Sequence, residues 1–237
     1  QDQNPLIYPI FSKNLKNIID ILTDDLEKEG FNLEFWSVDE SYLEILKSLN
    51  LNLEITENRD RSDYIYSVEK LINLSGKKLR KKKNHINGFK NDNNYTFEIL
   101  SKENIAEVHL AADNICEKHQ CILSKNLKNE TKGIHFLLDN FEIMNYKGGL
   151  IKVEGEIIAF SLGEKLTNET AVIHVEKADP DIRGAYNIIN QEFLINVWSD
   201  FKYVDREEDM GLEGLRKAKM SYDPEFLLKK FNVRILK

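Results

Sequence analysis

The run 172–187 (VIHVEKADPDIRGAYN) places several chemically able side chains at one expected strand-to-helix junction. Alternate residues of a strand share a face, so His174 and Glu176 project together. Such a pair serves either as an acid and a base or as a plain hydrogen bond at a strand end. Further on, Arg183 and Gly184 precede a helical stripe of Ile188, Ile189, Phe193 and Val197. A helix start offers free N–H groups and partial positive charge, which suits phosphate. Gly184 lets backbone approach an anion, and Arg183 adds a two-pronged cation. Asp179 and Asp181 oppose an anion there, so an ordinary helix start with a surface arginine stays open.

Two further stretches carry chemistry. Residues 205–209 hold four acids just ahead of a helix start at Gly211. Acids favour a helix N-terminus, and no convergent ligand spacing points to a metal. Arg216 and Lys219 follow one turn apart, and Ser221 and Tyr222 end the segment. Tyr222 is a candidate proton donor, and the same residues equally suit a solvated face. Residues 77–90 (KKLRKKKNHINGFK) contain six Lys, one Arg and no acid. Lys77, Lys78, Arg80, Lys81, Lys82 and Lys83 cover most of a helix surface, beside a narrow stripe of Leu79, Ile86 and Phe89. That surface suits nucleic-acid phosphate or anionic lipid, or a helix lying over an acidic protein.

The charge arithmetic sharpens this segment. The 237 residues total −7, so a +7 run leaves −14 on the remainder. Composition is 41% hydrophobic and 10% aromatic, which excludes a disordered chain. No apolar run approaches the ~18 residues of a membrane span. Cys116 and Cys121 make no disulfide framework, and a reducing cytoplasm is the expected compartment. There is no Walker A loop, GxSxG elbow, HExxH or GxGxxG. The chain opens QDQNPLIYPIF, with neither Met nor signal peptide, so it is expected to begin inside a domain.

The positioning elements follow from periodicity. Strand, helix, strand, helix, strand, strand are expected over residues 5–66, with Asp39 capping the second helix. Residues 67–91 read as basic helix, and the turn-rich run 91–94 marks the expected domain boundary, giving domains 1–91 and 92–237. The order then restarts: a strand at 95–100, helices near 105–115 and 132–146, and a hairpin of 148–153 with 156–161 across Glu154-Gly155. Strands at 171–175 and 201–205 flank the long helix after Gly184. Residues 211–230 read as mostly helical with a break at Asp223-Pro224, and 232–236 as a closing strand. The fold class is therefore α/β (α+β).

The segments 76–87, 173–178, 182–193 and 206–219 resemble a bacterial family of unknown function related to the C-terminal domain of phosphatidylglycerol lysyltransferase. That resemblance covers nearly the whole chain. It implies membership of the acyl-CoA N-acyltransferase (GNAT) superfamily, as two tandem units of mixed, mostly antiparallel sheet flanked by helices. It also implies that the first unit lacks its opening elements. In such folds the loop before the central helix holds the donor's pyrophosphate through an Arg/Gln-x-x-Gly-x-Gly/Ala pattern. Here only Arg183, Gly184 and Ala185 keep fragments of it, and Tyr186 stands where a small residue is usual.

The expectation is a GNAT-like acyl- or aminoacyltransferase with His174 or Glu176 as base, Tyr222 as proton donor, and Arg183 with the amides of Gly184 and Ala185 on phosphate. The donor is acyl-CoA or aminoacyl-tRNA, neither tightly bound as a cofactor. The fragmentary loop and basic helix lean towards tRNA as partner. The acceptor is an amine or hydroxyl, on a small molecule or a lipid headgroup. No metal is expected. The alternative is a non-catalytic tandem module binding RNA or an anionic surface through 77–90. A loop lacking phosphate donors, or a filled cleft between the 171–175 and 201–205 strands, would favour it.

Overall fold

A computed structural model describes residues 5–119 and 125–236. In chain order the elements are β1 (Leu6–Ile7), α1 (Leu15–Lys28), β2 (Glu34–Asp39), α2 (Glu40–Ser48), β3 (Asn52–Glu57), a 3-10 turn (Arg59–Arg61), β4 (Asp63–Ser67), α3 (Val68–Asn73) and α4 (Arg80–Asp92). There follow β5 (Tyr95–Ile99), α5 (Ile105–Lys118), α6 (Lys125–Asp139), α7 (Phe141–Met144), β6 (Lys147–Val153), β7 (Glu156–Lys165) and β8 (Thr170–Ala178). The chain closes with α8 (Ala185–Val197), β9 (Tyr203–Asp205), α9 (Glu213–Met220), β10 (Phe226–Leu228) and β11 (Lys230–Leu236).

The chain forms two compact units. The first contains residues up to Tyr64, Glu208–Lys217 and Phe226 onward. Its sheet runs β1-β2-β11-β3, with β11 antiparallel to both β2 and β3. Ile19, Leu33, Phe35, Leu46 and Val233 are buried together as its core. Asp39 caps α2 as expected, accepting from the Tyr42 N–H at 2.8 Å. Asp209 is fully buried here. Arg216 grips it through Nε and Nη2 at 2.9 Å each, and the Tyr64 hydroxyl donates at 2.5 Å. Burial opposes its charge, but those donors and the Gly211 N–H hold the carboxyl well below its usual range.

The second unit contains Ile65–Glu207 and Ala218–Glu225. Its strands run β4-β9-β8-β7-β6-β5, all antiparallel except the β9–β8 pair. One face packs Ile151 and Ala159 against Ile86 and Phe89 of α4 and Ala185, Ile188 and Ile189 of α8. The other packs Leu150, Phe160, Leu162 and Val175 against Val108, Ala112 and Ile115 of α5 and Ile134 and Leu138 of α6. This alternation along β6 and β7 is what a sheet covered on both faces demands.

Several expectations change. The compact units divide at Tyr64/Ile65 and not at 91/92, because Ile86 and Phe89 bury α4 within the second unit's core. The basic helix is two helices: Leu74 and Gly76 take positive φ values of 48° and 93° and separate α3 from α4. Residues 211–230 are helical only over 213–220. Asp223 at φ 55° with Pro224 ends that run, and β10 follows. The 132–146 helix is α6, which ends at Asp139, followed by the single turn α7. Strand β11 lies inside the first unit's sheet, between β2 and β3.

Candidate functional site

Strands β8 and β9 pair in parallel only over Thr170–Val172 and Tyr203–Asp205. Beyond Val172 no further β8–β9 pairing occurs, and side chains cross between the two segments. Arg206 Nη2 donates to Glu176 Oε1 at 2.7 Å, with both side chains close to nine-tenths buried. The other Glu176 oxygen accepts from Asn190 Nδ2 at 2.9 Å. Burying two charges is tolerable because each neutralises the other and finds further polar partners. Arg206 Nη1, also buried, finds no hydrogen-bond partner among the described residues.

Aromatic rings enclose this pair. The Arg206 guanidinium lies 4.8 Å from the Tyr222 ring centre and 5.7 Å from that of Tyr66. Tyr222 is buried, and its hydroxyl accepts from Asn187 Nδ2 at 2.5 Å. Burial pushes the phenol up to about 12, with Arg206 opposing and Glu176 reinforcing, so it stays protonated near neutral pH. Lys219 Nζ holds the chain beyond β9, donating to the Arg206 and Glu207 carbonyls at 2.5 and 3.1 Å.

A cavity of about 430 Å³ is lined by Lys78, Lys81, Lys82, His85, Asn187, Met220 and Ser221. Helix α4 supplies the basic wall, because its buried Ile86 and Phe89 fix which of its residues face the cavity. Lys82 Nζ stands 4.0 Å from the Tyr222 ring centre. Burial, then Arg206 and Lys81, lower its ammonium to about 8, with Glu176 opposing. His85 is lowered by burial, Arg183 and the same lysines. Lys78 is tied to Asp223 at 2.7 Å, whereas Lys77, Arg80, Lys81 and Lys83 are exposed.

The expected residues thus separate into three places. Glu176, Tyr222 and Lys82 come together. His174 has other partners, its Nδ1 2.8 Å from Glu207 and its Nε2 3.0 Å from Glu164. The hydrogen bond to Glu207, against the cost of burial and with help from Glu164, raises its pKa. Both of its ring nitrogens are thereby engaged. The pairing of His174 with Glu176 as acid and base therefore has no geometric support.

At the third place, Arg183 is exposed and its Nε lies 3.4 Å from His85 Nδ1. Gly184 has φ 89°, and a Cβ there would come within 2.9 Å of the His85 carbonyl oxygen. The glycine is thus required by the close approach of α4. The Ala185 N–H is already satisfied by the Ile182 carbonyl at 3.2 Å, and the Tyr186 hydroxyl reaches His119 at 3.2 Å. Asp179, one of the two acids beside this loop, pairs with Lys118.

The acidic run 205–209 is also divided by role. Asp205 accepts from the Glu207 N–H, Glu208 pairs with Arg61 at 2.6 Å, and Asp209 anchors the first unit. Among the described residues no group of three or more His, Cys, Asp or Glu is arranged to hold a metal. Cys116 is a free thiol, and Cys121 lies outside the described residues. No described helix is long and apolar enough to cross a membrane.

Sequence reasoning missed Arg206, Asn187 and Asn190. Arg206 was hidden in an acidic run. The asparagines had a signal, as polar residues three apart in the helix that follows Gly184.

Comparisons with known proteins agree with this architecture. A protein of unknown function from Bacteroides thetaiotaomicron is 35% identical, with a TM-score of 0.89 over 98% of this chain and 78% of that one. The C-terminal domain of a putative lysylphosphatidylglycerol synthetase from Agrobacterium fabrum shares the fold at 11% identity, with a TM-score of 0.68 over 97% and 75% of the two chains. FemX shares it at 12% identity, with a TM-score of 0.51 over 98% and 80%. Residues 3–234 match the family described as phosphatidylglycerol lysyltransferase, C-terminal, and the chain belongs to that family.

Proposed function

We propose that this chain transfers an aminoacyl group from an aminoacyl-tRNA to a hydroxyl or amine acceptor, at the cavity between α4, α8 and residues 220–221. The observation that carries the reading is the cavity itself. Its wall is cationic, and two of its lining residues, Lys82 and Asn187, contact Tyr222 of the buried Arg206–Glu176–Tyr222 cluster. Lys81 suits the phosphodiester beside the terminal ribose of a charged tRNA. Asn187 and the protonated Tyr222 are hydrogen-bond donors for an oxyanion or a departing ribose oxygen. The side chains crossing between β8 and β9 argue against a donor threaded there, which favours tRNA over acyl-CoA. Family membership supplies lysyl-tRNA and phosphatidylglycerol as the first substrates to try.

The test is transfer of labelled lysine from lysyl-tRNA, with phosphatidylglycerol vesicles and a panel of small amines as acceptors. The expected result is acceptor-dependent loss of charged tRNA with label on the acceptor. Failure with tRNA charged with each amino acid, on every acceptor, overturns the reading. The same crossing side chains favour a second reading, a non-catalytic module whose basic helix binds RNA. It predicts salt-dependent tRNA binding without transfer.

A further inference from the structure

Acyl transfer needs a group to take the proton of the attacking acceptor, and the two residues first expected to do so are engaged. Both Glu176 oxygens are bonded, one to Arg206 and one to Asn190. His174 is held between Glu164 and Glu207. Tyr222 is a donor, with its phenol protonated.

Lys82 is placed differently. It lines the cavity, it is half-buried, and no described carboxylate pairs with it. Its Nζ rests on the Tyr222 ring, which offers an ammonium less than a carboxylate would. The groups around it come from every neighbouring element. Helix α4 contributes Lys81 and His85, the loop before it contributes Lys78, and the segment after β9 contributes Arg206. Strand β8 contributes Glu176, whose charge Arg206 already neutralises, and residues 187 and 221–222 contribute neutral Asn, Ser and Tyr. This balance disfavours a further positive charge, and the amine reaches its neutral form within a unit or so of physiological pH.

We propose that Lys82 Nζ is the proton acceptor for the attacking group in aminoacyl transfer at this cavity, an inference that rests on the transfer reading above. The acceptor O–H or N–H gives its proton to the Lys82 nitrogen as the oxygen or nitrogen bonds to the ester carbonyl carbon. The tetrahedral centre then collapses, the C–O bond to the ribose breaks, and the Lys82 ammonium returns the proton to the ribose oxygen. The protein ends as it began.

Two measurements on the full chain test this. The first is competitive acetylation with trace acetic anhydride from pH 6 to 11, read by mass spectrometry. Lys82 is expected to titrate near 8. The second is lysyl transfer by Lys82→Arg and Lys82→Ala. Arginine keeps the charge but cannot accept a proton. Lys82→Arg should therefore keep tRNA affinity within about 2-fold and lose kcat by about 100-fold or more. Added ethylamine should partly restore Lys82→Ala. A Lys82 midpoint above pH 10, or unchanged kcat in Lys82→Arg, overturns the inference alone. A midpoint near 8 with no transfer by the wild-type chain on any acceptor overturns the transfer reading, and the role of Lys82 with it.

Discussion

Arg206 and Glu176 show why single residues in this protein cannot be read in isolation. Each is a charge that water would hold more cheaply, and each is tolerable only because the other stands 2.7 Å away. Removing one partner strands the other. Glu176→Gln is expected to cost about 3–5 kcal/mol of stability. The double variant Glu176→Gln with Arg206→Met should recover part of that loss, since no buried charge is left unpaired. Chemical denaturation of the three variants measures this, and additive losses would show that the two residues are not coupled. The sequence named Glu176, Lys82 and Tyr222 because each type advertises its chemistry. It hid Arg206, which lies thirty positions from Glu176 and meets it only where the chain leaves the β8–β9 pairing.

At the scale of elements, the junction of β8 and α8 was legible in position but not in purpose. A glycine after an arginine at a helix start signals backbone freedom, and the anion was the obvious beneficiary. The structure gives that freedom to α4, whose His85 carbonyl lies where a side chain would stand. Gly184→Ala should therefore cost about 1–3 kcal/mol from its left-handed backbone, with more from displaced α4. Gly155, in the β6–β7 turn, has a similar φ of 86° but open space around it. Gly155→Asn should cost well under 1 kcal/mol, because asparagine tolerates this region. Equal melting shifts in the two variants would mean that α4 packing does not set the requirement. The hairpin and the α2 cap were readable because local chemistry determines them. The end of helicity after Met220 was not, since β10 has too few residues to display a period.

The molecule as a whole first presents as a mildly acidic chain of −7, which describes almost none of it. The +7 run folds as the end of one loop and most of α4, with Leu79, Ile86 and Phe89 buried and Lys77, Arg80, Lys81 and Lys83 exposed. Its basic surface and the cavity are parts of one feature, since Lys78, Lys81, Lys82 and His85 line both. The sequence displayed the density of charge plainly. It could not show that helix α4 belongs to the second unit's core, because that follows from contacts with α8 a hundred residues away. The tandem architecture became readable through the family resemblance, since the two units share no evident sequence repeat.

The central claim is that the α4 cavity receives the charged end of a tRNA. Lysine footprinting with and without lysyl-tRNA tests it most directly. Lys78, Lys81 and Lys82 should lose reactivity when lysyl-tRNA is present, while Lys102, exposed ahead of α5, keeps its own. Cavity lysines as reactive with tRNA as without it would contradict the account.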